Sequence, residues 1–374
     1  MRRLWIGLLC GLLVFLAACG QSGVDNPLPA LRPTGSMELR YAQEFQVEEY
    51  EGGYSLITIS NGDRFLLVPE GGDVPERMDP NITVLSQPLQ NIYLASSSTM
   101  DLFLQLGALD TVTMTATPAE NWSIPEIRQA VQTDDITYVG KYSAPDYEYI
   151  LDEGCALAVE NTMIYHVPET KEQLETLGIP VLVERSSYEP EPLGRVEWIK
   201  LYGLLTGHQA EAEAFFDESV RQVESVKSQS ETGKTAVFFY LTAAGTVSVR
   251  KPGDYVPKMI ELAGGSYFLQ GSEDAEDRAQ SSMNMEMESF YAAAKDADVL
   301  IYNSTIDGGP ESLEALLRNS PMLSDFKAVQ TGNVWCAGQN MFQQISGTAS
   351  MIADLHTVFT DTEQDRLTYL YRLG

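Results

Sequence analysis

The sequence predicts an α/β protein of two lobes, each built on a mainly parallel sheet, joined by one long helix and preceded by a small β appendage. Three observations carry that prediction. Short apolar strands alternate with helix-spaced segments in two series, one helical pattern separates the series, and the first part of the chain alternates with period two instead. With 374 residues, 44% of them hydrophobic, the chain exceeds the roughly 250 residues at which a single core stops growing. Two lobes follow.

The elements begin with residues 1–20, MRRLWIGLLCGLLVFLAACG. Two arginines, an apolar run from Leu4 to Ala18 and small residues before Cys19 form an export signal. The run falls short of the roughly 20 residues of a membrane-spanning helix, so cleavage is expected. The Leu16-Ala17-Ala18-Cys19 ending resembles a bacterial lipobox, which implies that Cys19 is acylated and becomes the first mature residue. An ordinary secreted protein with an incidental cysteine is the alternative. Residues 1–18 therefore read as signal peptide and 19–38, opening with Gly20-Gln21-Ser22-Gly23, as a flexible tether. The expected location is extracytoplasmic, lipid-anchored to a bacterial cell membrane.

Residues 39–190 read as the first lobe with its appendage. From Tyr41 to Pro69 the turns Glu51-Gly52-Gly53 and Asn61-Gly62 separate short strands, with period-two alternation in Tyr54 to Ile59. The lobe proper then runs through strands Ile82–Leu85, Ile92–Ala95, Val112–Met114, Ile136–Val139, Cys155–Val159 and Ile179–Val183, with helices at Met100–Leu106, Ile124–Val131 and Lys171–Leu177. Strands alternating with helices of this size argue for βα units in a Rossmann-like arrangement. Residues 191–228 carry helical spacing almost without interruption, bent near Thr206-Gly207, and form the interlobe helix. The second lobe, 229–374, repeats the alternation through Thr235–Leu241, Met259–Ala263, Val299–Tyr302, Leu313–Leu317, Val334–Cys336 and a last helix from Ala349 to Phe359.

Charge narrows the partners. The net charge is −29, and removal of Arg2 and Arg3 makes it more negative; such a surface repels nucleic acid and anionic headgroups. Of four cysteines, Cys10 leaves with the signal and Cys19 carries lipid. Cys155 and Cys336 remain, far apart in sequence, and read as buried free thiols with a single disulfide as the alternative.

This order of elements resembles the ABC-transporter solute-binding lipoproteins of the iron-siderophore, haem and cobalamin class. Four pieces carry the resemblance: Leu102 to Asp110 (LFLQLGALD), Leu174 to Val181 (LETLGIPV), Pro192-Leu193-Gly194-Arg195 leading into the long helix, and Leu262-Ala263-Gly264-Gly265. Each is weak alone; their order around one interlobe helix, behind a lipobox, is specific. The resemblance implies a monomeric receptor that delivers a small-molecule metal chelate to a membrane permease driven by a cytoplasmic ATPase. Iron-siderophore complexes lead as ligand, with cobalamin or haem behind, so iron or cobalt would arrive as part of the ligand and no cofactor is expected.

An enzyme is the competing class. His166, His208 and His356 are isolated, and no cysteine pair has metal-ligand spacing. There is no nucleophile elbow and no phosphate-cradling glycine loop. Asp73 with Glu76, or Glu189 with Glu191, are possible carboxylate pairs, but among 53 acids they read as surface. No catalysis and no resident metal are expected.

Ligands of open α/β sheets sit outside the carboxyl ends of the strands, so the loops there are the candidates. Ser97 and Ser98 follow the strand ending at Ala95 and bring hydroxyls to a helix N-terminus, where plain capping is the bland alternative. Trp122 and the pair Lys141 and Tyr142 read as loop residues with an aromatic face and a cation. Thr162 and His166 follow the strand ending at Val159; His166 could ligate iron, or merely hydrogen-bond nearby backbone. Arg185 lies past Val183. In the second lobe Arg250 offers a planar fork to an anion, with Tyr255 beyond it, and Trp335 and Asn340 are assigned to the loop after Val334, together with Met341 and Gln343. The resemblance also implies one permease-docking glutamate per lobe, placed at Glu169 and Glu288, although a solvated glutamate is the ordinary reading of either.

Overall fold

The computed structural model describes residues 27–229, 231–271, 281–362 and 367–374. The signal peptide and Cys19 lie outside the described residues. The chain forms the appendage from β1 (Pro33–Ser36), β2 (Phe45–Tyr50), β3 (Ser55–Ile59), β4 (Arg64–Val68) and β5 (Ile82–Ser86), hydrogen-bonded in that order. Two expectations change here. β1 lies inside the segment assigned to the tether. The Ile82 strand, expected to open the first lobe, instead pairs parallel with β4 from Arg64–Ile82 to Val68–Ser86. It does so because Ile82 completes an apolar cluster with Leu56, Leu66 and Val68 on the outer face of the appendage.

The first lobe contains β6 (Ile92–Leu94), α1 (Ser97–Leu106), β7 (Val112–Thr115), α2 (Pro125–Gln132), β8 (Thr137–Tyr138), a two-stranded hairpin of β9 (Gly140–Lys141) and β10 (Ala144–Pro145), α3 (Tyr147–Asp152), β11 (Leu157–Glu160), α4 (Pro168–Thr176) and β12 (Val181–Val183). The five-stranded sheet runs β12-β11-β6-β7-β8, all parallel. Its strands inside the edge strand β8 are largely buried on both faces, which is why they read as continuous apolar runs.

The long interlobe helix is two helices, α5 (Pro192–Thr206) and α6 (Gln209–Lys227). Gly207 adopts φ 79° and the His208 amide closes onto the Gly203 carbonyl at 2.7 Å, so the chain turns at the residue where only a bend was expected. A Cβ on Gly203 would stand 2.6 Å from that of Ala212. The glycine lets α6 fold back against α5, and Lys200 of α5 reaches Glu213 of α6 at 3.0 Å.

The second lobe comprises β13 (Thr235–Leu241), β14 (Val247–Arg250), α7 (Tyr255–Leu262), β15 (Ser266–Tyr267), β16 (Ser282–Met285), α8 (Met287–Ala294), β17 (Val299–Asn303), α9 (Leu313–Asn319), α10 (Lys327–Gln330), β18 (Val334–Ala337), α11 (Thr348–Thr360) and β19 (Leu370–Arg372). Here the sheet is mixed: β13, β17 and β18 are parallel, whereas β14, β16 and β19 pair antiparallel at the two edges. The tight Thr242–Thr246 turn, with Gly245 at φ 81°, can only return β14 antiparallel to β13.

One core runs through the appendage, α1, α5, α6, α7 and α11, including Phe45, Phe103, Trp198, Tyr202 and Phe216. Phe45 packs edge-on to Trp198 at 4.9 Å. The charged residues of α5 are buried with it. Glu197 accepts the backbone amides of Arg40, Tyr41 and Ala42 at 2.9, 2.7 and 2.9 Å. Glu189, just before the helix, accepts those of Gln43 and Glu44 at 2.9 and 3.0 Å together with Trp198 Nε1 at 2.9 Å. Glu189 is 2% exposed, which corrects its assignment to the surface: a buried carboxylate is tolerated here because five consecutive amides need acceptors. Cys155 and Cys336 are buried and free, each thiol pushed up to about 11 by burial.

Candidate functional site at the lobe junction

The strand ends of the two sheets converge on the α5 N-terminus. Ser96 follows β6 and its hydroxyl donates to Glu184 Oε2 at 3.3 Å, while Thr99 Oγ1 donates to Ser96 Oγ at 2.9 Å. Ser97 and Ser98 stand half-buried at the first turn of α1. Glu184, one residue beyond β12, is fully buried and also accepts the Ser186 amide at 2.6 Å. Burial raises its pKa, against the pull of Ser186, Arg195 and Ser96. Glu160 ends β11 with both carboxylate oxygens buried and unpaired, and desolvation alone pushes it up to about 8.

Arg195, in the first turn of α5, lies between the lobes. Its guanidinium sits 3.8 Å from the Tyr255 ring centroid, and its charge lowers the pKa values of Glu184 in the first lobe and Asp254 in the second. Arg250, at the end of β14, lies 4.9 Å over the Phe342 ring, donates from Nη1 to Ser281 Oγ at 3.0 Å and approaches Asp254 Oδ2 at 3.6 Å. Asp254 caps α7 by accepting the Val256 amide at 2.9 Å; its burial raises its pKa and Arg250 draws it back. An alternating series Glu184, Arg195, Asp254, Arg250 thus crosses the junction.

The second-lobe wall is concave. A hollow of about 210 Å³ is lined by Phe238, Phe239, Tyr240, Ser248, Arg250 and Asn303, among others. It shares Tyr240 and Ile306 with a groove of about 980 Å³ that extends past Tyr302 and Asp307 toward Met287 and Met322. Elsewhere the lobes are stitched: Ser123 donates from its amide and hydroxyl to Gln343 Oε1, Gln343 Nε2 donates to Asn121 O, and the Ser346 amide donates to Asp101 Oδ2 at 2.9 Å.

Against this geometry the sequence-derived candidates separate. Arg250 lines the hollow, whereas Tyr255 does not: it is 8% exposed and stacked on Arg195. Trp122 and Trp335 are corrections. Each is 1% exposed: Trp122 donates from Nε1 to the Thr117 carbonyl, and Trp335 lies within β18, its side chain in the core. Their apolar area was worth more in the interior than on a loop. Asn340 spends its amide on Gln344 Oε1 at 3.0 Å, and Gln343 is a stitch between lobes. Lys141 is exposed on the β9–β10 hairpin, and Tyr142 is half-buried against the apolar cluster of Tyr93, Met114 and Ile150. Thr162 and His166 occupy a short 3-10 turn, Thr162 Oγ1 lying 3.5 Å from Ser187 Oγ and His166 exposed. Arg185 is already paired with Glu44 at 2.7 Å. Glu160, Glu184, Arg195, Asp254, Asn303 and Phe342 were missed. The usable signal was ionisable residues closing apolar runs, as in Leu157-Ala158-Val159-Glu160 and Val181-Leu182-Val183-Glu184, or set inside a buried helix, as with Arg195.

Residues 92–340 match the family model for the periplasmic binding protein. The chain belongs to that family. As a periplasmic binding protein it is a solute-binding receptor for transport and not an enzyme, of a family that works outside the cytoplasm. An uncharacterized lipoprotein of Methanocaldococcus jannaschii is 22% identical over 96% of this chain and 92% of its own length. Among solved structures, a periplasmic haem-binding protein of Vibrio cholerae superposes with TM-score 0.58 at 18% identity, covering 72% of this chain and 98% of its own. A catecholate-siderophore-binding protein of the same species gives 0.57 at 14% identity, over 72% and 94%. These likenesses establish the two-lobed α/β fold.

Proposed function

We propose that this periplasmic binding protein captures an iron-siderophore-type complex at the lobe junction and hands it to an ABC permease driven by a cytoplasmic ATPase, from a lipid anchor on Cys19. The observation that supports the ligand class best is the second-lobe hollow. It places one guanidinium, Arg250, with Asn303 and Ser248 among aromatic walls, the pairing of a planar cation and hydrogen-bonding groups that an oxygen-rich anionic chelate requires. A catecholate-siderophore receptor and a haem receptor stand among the structural neighbours. Iron is cargo in this reading. Haem is the second reading, favoured by the aromatic lining of Phe238, Phe239 and Tyr240, and cobalamin follows it as the neutral member of the class. Glu169 and Glu288, both exposed in the first turns of α4 and α8, are the proposed permease contacts.

The test is parallel incubation with a ferric tris-catecholate, a ferric tris-hydroxamate, haemin and cyanocobalamin, reading the absorbance of the repurified protein and its melting temperature. A true ligand at a hundredfold excess over its dissociation constant stabilises by about 2.7 kcal/mol and is recovered unchanged. Turnover of a bound compound would overturn the receptor reading; no shift with any of the four would overturn the ligand class.

A further inference from the structure

The appendage reaches the mouth of the first lobe. Arg185, two residues past β12, donates from Nε to Glu44 Oε2 at 2.7 Å and to Ser60 Oγ at 2.8 Å, and from Nη1 to the Tyr165 hydroxyl at 3.1 Å. Asn61, in the β3–β4 turn, donates from Nδ2 to the same hydroxyl at 3.3 Å. The Arg185 and Glu44 side chains are 17% and 14% exposed, so a largely desolvated pair has taken the one cation that β12 brings to its carboxyl end. Beside it, Met163 and Tyr165 are 50% and 41% exposed. They follow β11, the neighbouring strand. The matched family segment begins at residue 92, so Glu44, Ser60 and Asn61 lie outside it.

We propose that the appendage neutralises Arg185 at the first-lobe rim and leaves an apolar contact surface, on which Met163 and Tyr165, the latter held by Asn61, receive the uncharged body of a ligand whose anionic group goes to Arg250. The inference rests on the receptor reading above and narrows its ligand. The favoured class is amphiphilic: an apolar or aromatic body with its negative charge at one end. A compact complex carrying charge over its whole surface is selected against, because Glu44 occupies the guanidinium that would otherwise attract it.

Two measurements test this. The first needs no ligand. Trp122, Trp198 and Trp335 are at most 1% exposed and Trp5 belongs to the export signal, so Tyr165→Trp introduces an indole that aqueous quenchers reach selectively. With Glu44 intact, iodide quenches it no better than neutral acrylamide; Glu44→Gln, by uncovering Arg185, raises the iodide constant at least about twofold and leaves acrylamide unchanged. An iodide constant that does not move overturns the neutralisation of Arg185. The second compares haemin, flat with two carboxylates on one edge, with a ferric tris-catecholate trianion. Tyr165→Ala and Met163→Ala each weaken haemin by about five- to tenfold, and Glu44→Gln strengthens the trianion severalfold. Unchanged affinities in all three variants overturn the contact surface. If neither probe binds the parent protein, the ligand-class reading fails, and the quenching pair still decides the charge of the rim.

Discussion

Replacing Glu197 by alanine removes the acceptor for three consecutive backbone amides and the partner of a buried ammonium. The side chain is 0% exposed, the amides of Arg40, Tyr41 and Ala42 lie within 2.9 Å of it, and Lys200 Nζ stands 3.3 Å away. Each orphaned amide costs about 1–3 kcal/mol if it stays dry. The loop between β1 and β2 can lift into water, so only part of that sum is realised; Lys200 keeps Glu213 at 3.0 Å. Breaking a buried pair of this kind costs about 3–5 kcal/mol, which for lobes of 150–250 residues lowers the melting temperature by roughly 10 °C. Glu197→Gln keeps one oxygen for the amides but sets its own N–H groups against the others, and falls between. Urea and thermal unfolding of the purified protein measure both. A loss below about 1 kcal/mol for Glu197→Ala would refute the idea that this carboxylate clamps the N-terminal segment onto α5.

Arg250→Ala should cost about 2–5 kcal/mol of binding to an anionic ligand, with Arg250→Lys recovering part; calorimetry reads both, and Lys227→Ala, exposed beside Glu224, serves as the unaffected control. Stability should fall as pH rises from about 5 to about 7, because Glu160 and Glu189, raised to about 8 and about 7, keep protons in the folded state that the unfolded chain has already lost. Each group contributes up to about 1.4 kcal/mol per pH unit, and Glu160→Gln should flatten the slope; a melting temperature that climbs through this window contradicts the burial argument. Gly203→Ala should destabilise by about 1–3 kcal/mol, since its Cβ meets Ala212 at 2.6 Å, read as a lower urea midpoint at unchanged m-value. Cys155 and Cys336 should react with a thiol reagent only in denaturant; fast modification of the native protein would show that one of them is accessible.

How far the sequence foretold the fold depended on whether local chemistry decided the element. Strands β6, β7, β11 and β17 were readable because a strand buried on both faces leaves an apolar run with nothing to confuse it. The helices α2, α4 and α11 were readable from spacing. The Ile82 strand was assigned to the wrong sheet because pairing is a long-range choice, settled by the apolar cluster on the far face of the appendage rather than by its own residues. Gly207 was seen, but a helical period says nothing about what the helix beyond it touches, and contact of Gly203 with Ala212 turned the bend into a hairpin.

The site was less legible for a related reason. Residue types associated with ligands, tryptophans and histidines, were sought on loops, yet a loop in sequence is only the absence of periodicity, and Trp122 and Trp335 gained more by burial than by waiting for a ligand. Arg185 and Arg250 show how two arginines that look alike in sequence part company in the fold. Arg185 follows β12 at the carboxyl edge of a parallel sheet, whereas Arg250 ends β14, which runs antiparallel to β13. Arg185 meets Glu44 and Ser60, brought to it by an appendage more than a hundred residues upstream in the chain; Arg250 has Asp254 only at 3.6 Å, beyond hydrogen-bonding distance, and an aromatic ring beneath it. The first guanidinium has found in the protein the carboxylate that a ligand would have supplied, while the second keeps part of its bonding capacity turned toward the hollow. The proposed placement of a ligand's anionic end in the second lobe rests on that difference in remaining bonding capacity, and not on the presence of an arginine at a strand end.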